Sequence, residues 1–248
     1  MSILGKKFKV SYPYPLGYPI KVVVTNLNIR ALLGWLFQKY GATPESAEIL
    51  TSERIVELPL LHQWFGSTVA TRSKSEILEI GHVASSVSLE LASLGHSVTG
   101  IDLRSYPFIH HNLMSLVGDF LLYDFKGQFD FIYSLSTIEH FGFSNRYDGK
   151  EDVDNHLDED AFYKISKLLK PSGKAVISVP YQRKLEQSAW FRIYTRDELN
   201  NKLGKHFNIL EQRFCSRENN QWSPVLDQAA DPISARDGVA IFLLSHKN

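Results

Sequence analysis

The sequence predicts an α/β protein: a seven-stranded, mostly parallel sheet whose last strand runs antiparallel, preceded by an N-terminal helical cap. Three observations predict it. From Ser75 onward, strand-length apolar runs alternate with stretches of helical periodicity. Glycine or aspartate stands at the end of each of the first three strand-like runs. The final two such runs have no helix between them, so they pair antiparallel.

The elements follow in order. "SYPYPLGYPI" holds three prolines and three tyrosines in ten positions, which disfavours a helix and predicts an extended arm or turn. The arm either packs on the body or covers a pocket with aromatic side chains. "TNLNIRALLGWLFQKYGA" places Leu32, Leu33, Leu36 and Phe37 at helical spacing, with Gly41 as a stop. "TPESAEILTSERIVELPLLHQWF" gives one or two further helices, with Pro59 as a break or kink. Residues 1–72 therefore read as arm and cap, and residues 73–248 as the α/β domain.

In that domain "EILEIG" is the first strand. "SSVSLELASLG" is a helix with Ser85 or Ser86 as cap and Gly95 as its end. "HSVTGIDL", "LMSLVGDF" and "FDFIYSLS" are strands two to four. "DEDAFYKISKLLKPSG" is a helix with acids in its first turn and a Lys-Pro-Ser-Gly stop. "KAVISVPY" is strand five, and "TRDELNNKLGKHF" is a helix capped by Thr195 and ending around Gly204. "NILEQRFCS" and "GVAIFLLSHK" close the sheet. The polar run "FSNRYDGKEDVDNHL" forms a long loop of functional length.

Bulk composition narrows the partners. Lys+Arg and Asp+Glu both total 27 in 248 residues, so no net field draws the chain to nucleic acid or an anionic membrane. A single cysteine, Cys215, excludes an internal disulfide framework and a cysteine-rich zinc site. "MSILGKKFKV" lacks the apolar core of a signal peptide, and no run reaches the roughly 20 apolar residues of a membrane span. The chain reads as soluble and cytoplasmic; oligomeric state is not legible.

Open α/β sheets bind ligands at the carboxyl ends of their strands. Those ends here carry Gly81, Asp102, Asp119 and the "SLSTIEH" segment. Gly81 permits close approach of a ligand. Asp102 can accept both hydroxyls of a ribose, and Asp119 can accept from an adenine amino group. Each also has a plainer reading as a turn former or helix cap.

Taken in order, "ILEIGHVASSVSLELASLGHSVTGIDLR…VGDF…FDFIYSLSTIEHFG…LLKPSGKAVISVPY" resembles the class I S-adenosylmethionine-dependent methyltransferases, which have a Rossmann-like sheet. The resemblance runs from about Ser75 to the C-terminus and rests on motif order more than on any single motif. An "EH" after strand four, an Arg-Tyr loop and a "VPY" strand end look closest to stand-alone members associated with glycan and surface-polysaccharide pathways. The resemblance implies S-adenosylmethionine as cofactor. Glu79 and Gly81 would flank its methionine part, with His82 and Ser85 on the same loop and Ser134 beside the methionine. Asp102 would hold the ribose, with Leu103 next to it. Asp119 and the Phe120 backbone would read the adenine.

One position departs from the family pattern. The acidic-x-Gly-x-Gly-x-Gly/Ser loop reads Glu79, Ile80, Gly81, His82, Val83, Ala84, Ser85, with Val83 at the middle glycine. A β-branched residue resists positive φ, so a loop that needs it there must take another path. S-adenosylmethionine has no phosphate to cradle, which makes the demand softer than in dinucleotide loops.

The implied reaction is methyl transfer to an oxygen of a small polar acceptor such as a sugar. His140 is the candidate base, or else a histidine bracing its loop. Glu139 orients His140, binds cofactor or caps a turn. Some quinone O-methyltransferases carry a Glu-x-x-Glu-His metal site at this point; Ser136 replaces its first carboxylate, and no metal is expected. Arg146, Tyr147, Tyr181, Arg192 and Tyr194 are candidate acceptor contacts, against a reading in which arginines pair with the acidic loop. Two other classes compete: a methyltransferase-like scaffold that has lost catalysis, motivated by Val83, and a nicotinamide-binding oxidoreductase, whose glycine loop would have Val83 and Ser86 at two of its glycines.

Overall fold

The computed structural model describes residues 51–69, 74–143, 156–184 and 191–247. The chain divides into two compact units, Met1–Ile55 and Val56–Asn248. The tyrosine-proline arm, the first expected helix, Arg146 and Tyr147 all lie outside the described residues.

Helix α1 spans Arg54–Thr68 and continues past Pro59. Strand β1 (Glu76–Ile80) leads through a one-turn 3-10 segment, His82–Ala84, into α2 (Val87–Ser93). Strands β2 (Ser97–Asp102), β3 (Leu113–Val117) and β4 (Phe129–Leu135) follow without intervening helices. Helix α3 (Leu157–Leu168) runs directly into β5 (Leu169–Pro180). Helix α4 (Arg196–His206), β6 (Phe207–Glu218), β7 (Gln221–Pro224) and β8 (Gly238–His246) complete the chain.

The sheet has eight strands in the order β3-β2-β1-β4-β5-β8-β6-β7. The first five are parallel; β8 is antiparallel to β5 and β6, and β7 is antiparallel to β6. The expected mostly parallel sheet with an antiparallel last strand is present, plus one strand more. That strand, β7, is made by the Asn219–Asn220 turn, where both residues have positive φ (48° and 61°). Two such residues make the primed turn that closes a tight hairpin.

Alternation along β1 and β4 sends side chains to opposite faces. One face packs Leu78, Ile80 and Ile132 against α3 and α4 through Phe162, Ile165, Leu199 and Leu203. The other packs Ile77, Phe131 and Tyr133 with Leu61, Trp64 and Phe65 of α1 and Val87 and Leu91 of α2. Helix α4 starts as expected at Thr195, whose side chain accepts from the Glu198 N–H. With a Glu three residues on, this is a capping-box sequence, worth about 1 kcal/mol. The Lys-Pro-Ser-Gly stretch differs from expectation. It is an irregularity at the start of β5, where pairing to β4 jumps from Leu169 to Lys174, rather than a loop after the helix.

Strand order reverses between β1 and β4, so the loops after these strands flank the crevice where such sheets bind ligands.

Candidate functional site

The loop after β1 begins at Gly81, half-exposed and in the left-handed region (φ 84°). A Cβ there would lie 2.2 Å from Thr137 Oγ1, so only glycine lets the β1 and β4 loops close on each other. Val83 sits in the middle of the 3-10 turn and has no positive φ. The loop thus places its single left-handed residue at Gly81, and a β-branched residue fits at 83 without strain.

The Val83 N–H points to the candidate ribose ligand. It donates to Asp102 Oδ2 at 3.2 Å. Arg104 supplies the other bonds to that carboxylate: its N–H and Nε reach Oδ1 at 3.0 and 2.9 Å, and Nη2 reaches Oδ2 at 3.0 Å. Two acceptor positions on each oxygen are therefore in use. Burial opposes the charge of Asp102, but the Arg104 side chain and backbone and the Val83 N–H outweigh it and hold the carboxyl below its ordinary range. Leu103, between them in sequence, is 45% exposed, an apolar surface beside the carboxylate.

His82 turns inward. Its ring is fully buried, lies over Gly100 and stacks on Tyr106 at 4.5 Å between centroids. Nε2 is 3.1 Å from Ser115 Oγ. Burial lowers its pKa, and Arg104 adds to this, against the opposing pull of Asp102. The ring thus fills the space beneath the loop after β1. Ser86 is the N-cap of α2 without a side-chain cap bond; Ser85, just before it, accepts from the Val87 N–H at 3.1 Å through Oγ, while its carbonyl accepts from the Tyr106 hydroxyl.

Glu79 is buried on β1 and accepts from the Tyr133 hydroxyl at 2.8 Å. Burial, then the Glu79 charge, pushes the Tyr133 pKa well up. Asp119 is half-buried after β3, with Oδ1 accepting from the Leu121 N–H at 2.8 Å. Phe120 is in the core, stacked near Phe125 and Phe141. Ser134 is fully buried, and its hydroxyl makes no hydrogen bond among the described residues.

After β4, Glu139 is buried and His140 half-buried, with Oε1 and Nε2 3.9 Å apart. That is ion-pair range but too long for a hydrogen bond. Phe191 lies edge-on to His140. The Glu139 carbonyl accepts from the Arg192 N–H at 2.7 Å.

The three expected acceptor contacts after β5 have other work. Arg192 is 3.0 Å from Asp158, a fully buried carboxylate in the first turn of α3. Lys202 and the Tyr194 hydroxyl complete that cluster at 2.8 and 3.1 Å. Tyr181 is fully buried against Phe214 and beside the Asp231–Arg196 pair. Tyr181 and Tyr194 expose no surface to a ligand here, and Arg192 compensates a buried charge. Among the described residues no three histidine, cysteine or carboxylate side chains converge to hold a metal. No helix among them is long and apolar enough to cross a membrane.

Sequence reasoning missed Glu57. This α1 carboxylate is fully buried and accepts from Ser136 Oγ at 2.7 Å and Ser178 Oγ at 2.5 Å. A signal existed: Glu57, Leu61, Trp64 and Phe65 share one helical face, and an acid on an apolar stripe calls for a buried partner. Arg104 was also missed, although a guanidinium two residues after a strand-end Asp is a ready partner for it.

Comparison with solved structures settles the architecture. The N-methyltransferase NodS from Bradyrhizobium japonicum, in complex with S-adenosylhomocysteine, superposes with a TM-score of 0.53 at 15% identity, covering 86% of this chain and 98% of NodS. The 1,6-didemethyltoxoflavin-N1-methyltransferase of Burkholderia thailandensis gives 0.53 at 16%, covering 96% and 94%. An S-adenosylmethionine-dependent methyltransferase from Clostridium acetobutylicum gives 0.50 at 9%, covering 89% and 100%. The chain has the class I methyltransferase fold. No family model matches the sequence, and no curated protein matches it.

In methyltransferase-fold terms the candidate set is consistent with an adenosyl group. The close-approach glycine, the strand-end carboxylate, the exposed Leu103 and the half-buried Asp119 offer the surfaces that a ribose diol, a flat base and an exocyclic amine need. Among the described residues, the Arg104 side chain occupies the Asp102 carboxylate through Nε and Nη2. The edge of a guanidinium offers two donors to a carboxylate, as a vicinal diol does, so Arg104 Nε and Nη2 use the acceptor positions that the diol would use.

Proposed function

We propose that this protein is an S-adenosylmethionine-dependent methyltransferase that methylates an oxygen of a small polar acceptor, such as a sugar or related metabolite. The observation that carries the reading is the Asp102 carboxylate at the end of β2, steadied by the Val83 N–H from the loop after β1. The neighbours of this fold that hold S-adenosylhomocysteine support it.

Bound S-adenosylmethionine supplies an electrophilic methyl on a sulfonium sulfur. Asp102 holds the ribose hydroxyls once the Arg104 side chain turns away. Leu103 and Asp119 receive the adenine. Gly81 gives the methionine end room to approach the backbone. The imidazole of His140 takes the acceptor's hydroxyl proton, and the Glu139 carboxylate favours the imidazolium that results. The remaining work is positioning of the acceptor in line with the methyl group.

A scaffold without catalysis was motivated by Val83. The 3-10 turn removes that ground, because Val83 needs no positive φ and its N–H supports Asp102. The test is incubation with S-adenosylmethionine and a panel of sugars, phenols and amines, with S-adenosylhomocysteine release as readout. Hydroxyl-dependent release supports the reading. Release with amines alone would move the acceptor atom to nitrogen.

A further inference from the structure

We infer that Glu57 is a positioning residue for the cofactor loop, acting through the backbone conformation of Ser136. This rests on the cofactor reading above. Ser136 follows β4 directly and has φ 44°, in the left-handed region that non-glycine residues avoid. Two sets of bonds keep it there. Its N–H donates to the carbonyl and the hydroxyl of Ser178 at 3.1 and 3.0 Å. Its own hydroxyl donates to Glu57, which also accepts from Ser178. A buried carboxylate thus joins the carboxyl ends of β4 and β5 through one oxygen. Both bonds are sheltered from water, where a hydrogen bond is electrostatically stronger than in solvent.

The consequence lies one residue on. Thr137 packs against the Cα of Gly81 so tightly that no Cβ would fit between them. The left-handed turn at Ser136 sets where Thr137 goes, and Thr137 sets the path of the β1 loop at the point where strand order reverses. Release of Ser136 from Glu57 would let its backbone relax toward negative φ and carry Thr137 off Gly81. The binding-competent loop then becomes a minor conformer, and apparent affinity falls by its lost fraction.

The test compares two small changes that remove the same hydroxyl. Ser136→Ala and Ser136→Gly both lose the bond to Glu57, but only alanine still resists the left-handed region. Binding of S-adenosylhomocysteine is measured by calorimetry for both, and for Glu57→Ala with and without Ser136→Gly. Ser136→Ala is expected to bind about fivefold more weakly than wild type, and Ser136→Gly within about twofold of it. Glu57→Ala is expected to weaken binding about tenfold, and the added Ser136→Gly to restore most of it. Equal affinities for the two Ser136 variants, or no rescue of Glu57→Ala by glycine, would overturn the inference. The Ser136 pair decides it even if Glu57→Ala does not fold. Absence of binding by the wild type would instead sink the cofactor reading and this inference with it.

Discussion

The Val83 N–H donates to Asp102 Oδ2 at 3.2 Å, so the residue that departs from the glycine pattern supports the carboxylate at the end of the next strand. Replacing Val83 by glycine should not repair anything. The N–H would stay, while the unfolded chain would gain freedom and a half-buried side chain would be lost. Val83→Gly is expected to lower Tm by about 2–4 °C, for a loss of ~1 kcal/mol in a domain this size. Its affinity for S-adenosylhomocysteine should stay within about twofold of wild type. A tenfold gain in calorimetry would mean that Val83 obstructs the site.

In the proposed reading, Arg104 and the ribose would compete for the Asp102 carboxylate. The Arg104 side chain is 42% exposed, so its ion pair is worth only about 0–1 kcal/mol after screening. Arg104→Ala should therefore tighten S-adenosylhomocysteine binding by about two- to fivefold, and more at low salt than at high salt. Weaker binding in this variant would show that Arg104 contacts the ligand instead.

Much of this was legible in sequence, and for a physical reason. The strand ends announce themselves through abrupt changes from apolar to Gly or Asp, and Gly81, Asp102 and Asp119 do lie at or just past the ends of β1, β2 and β3. Thr195 was legible because a cap is a local device. Glu57 was not, because its partners Ser136 and Ser178 are 79 and 121 positions away. Tyr181 and Tyr194 were misjudged for the same reason: strand-end position suggested a pocket mouth, while packing with Phe214 and Asp158 puts them in the core. The eighth strand needed Asn219 and Asn220 to be read as a primed turn.

His82 gives a pH dependence. Burial depresses its folded pKa below 6.5, so the folded state favours the neutral ring. Above 6.5 the ring is neutral in both states, and its stabilising contribution is fully present. As pH falls below 6.5 the unfolded chain takes up the proton first, and stability drops until the folded pKa is passed. His82→Phe keeps a flat ring over Gly100 and does not titrate. Wild type should lose more urea stability than His82→Phe between pH 7.5 and 5; equal losses would contradict the buried neutral ring.

His140→Ala separates chemistry from binding. Turnover with the identified acceptor should fall about 10²–10⁴-fold, with S-adenosylhomocysteine affinity within about twofold of wild type. Loss of both together would place His140 among the binding groups, and normal turnover would remove it as the base.

In the proposed reading, Asp102 holds an adenosyl group at the end of β2. Calorimetric titration of wild type and Asp102→Ala with S-adenosylhomocysteine, and with NAD as control, tests it most directly. Saturable binding of S-adenosylhomocysteine to wild type is expected, none of NAD, and at least a hundredfold loss in Asp102→Ala, about 2.7 kcal/mol. Unchanged affinity in Asp102→Ala, or no binding to wild type, would contradict it.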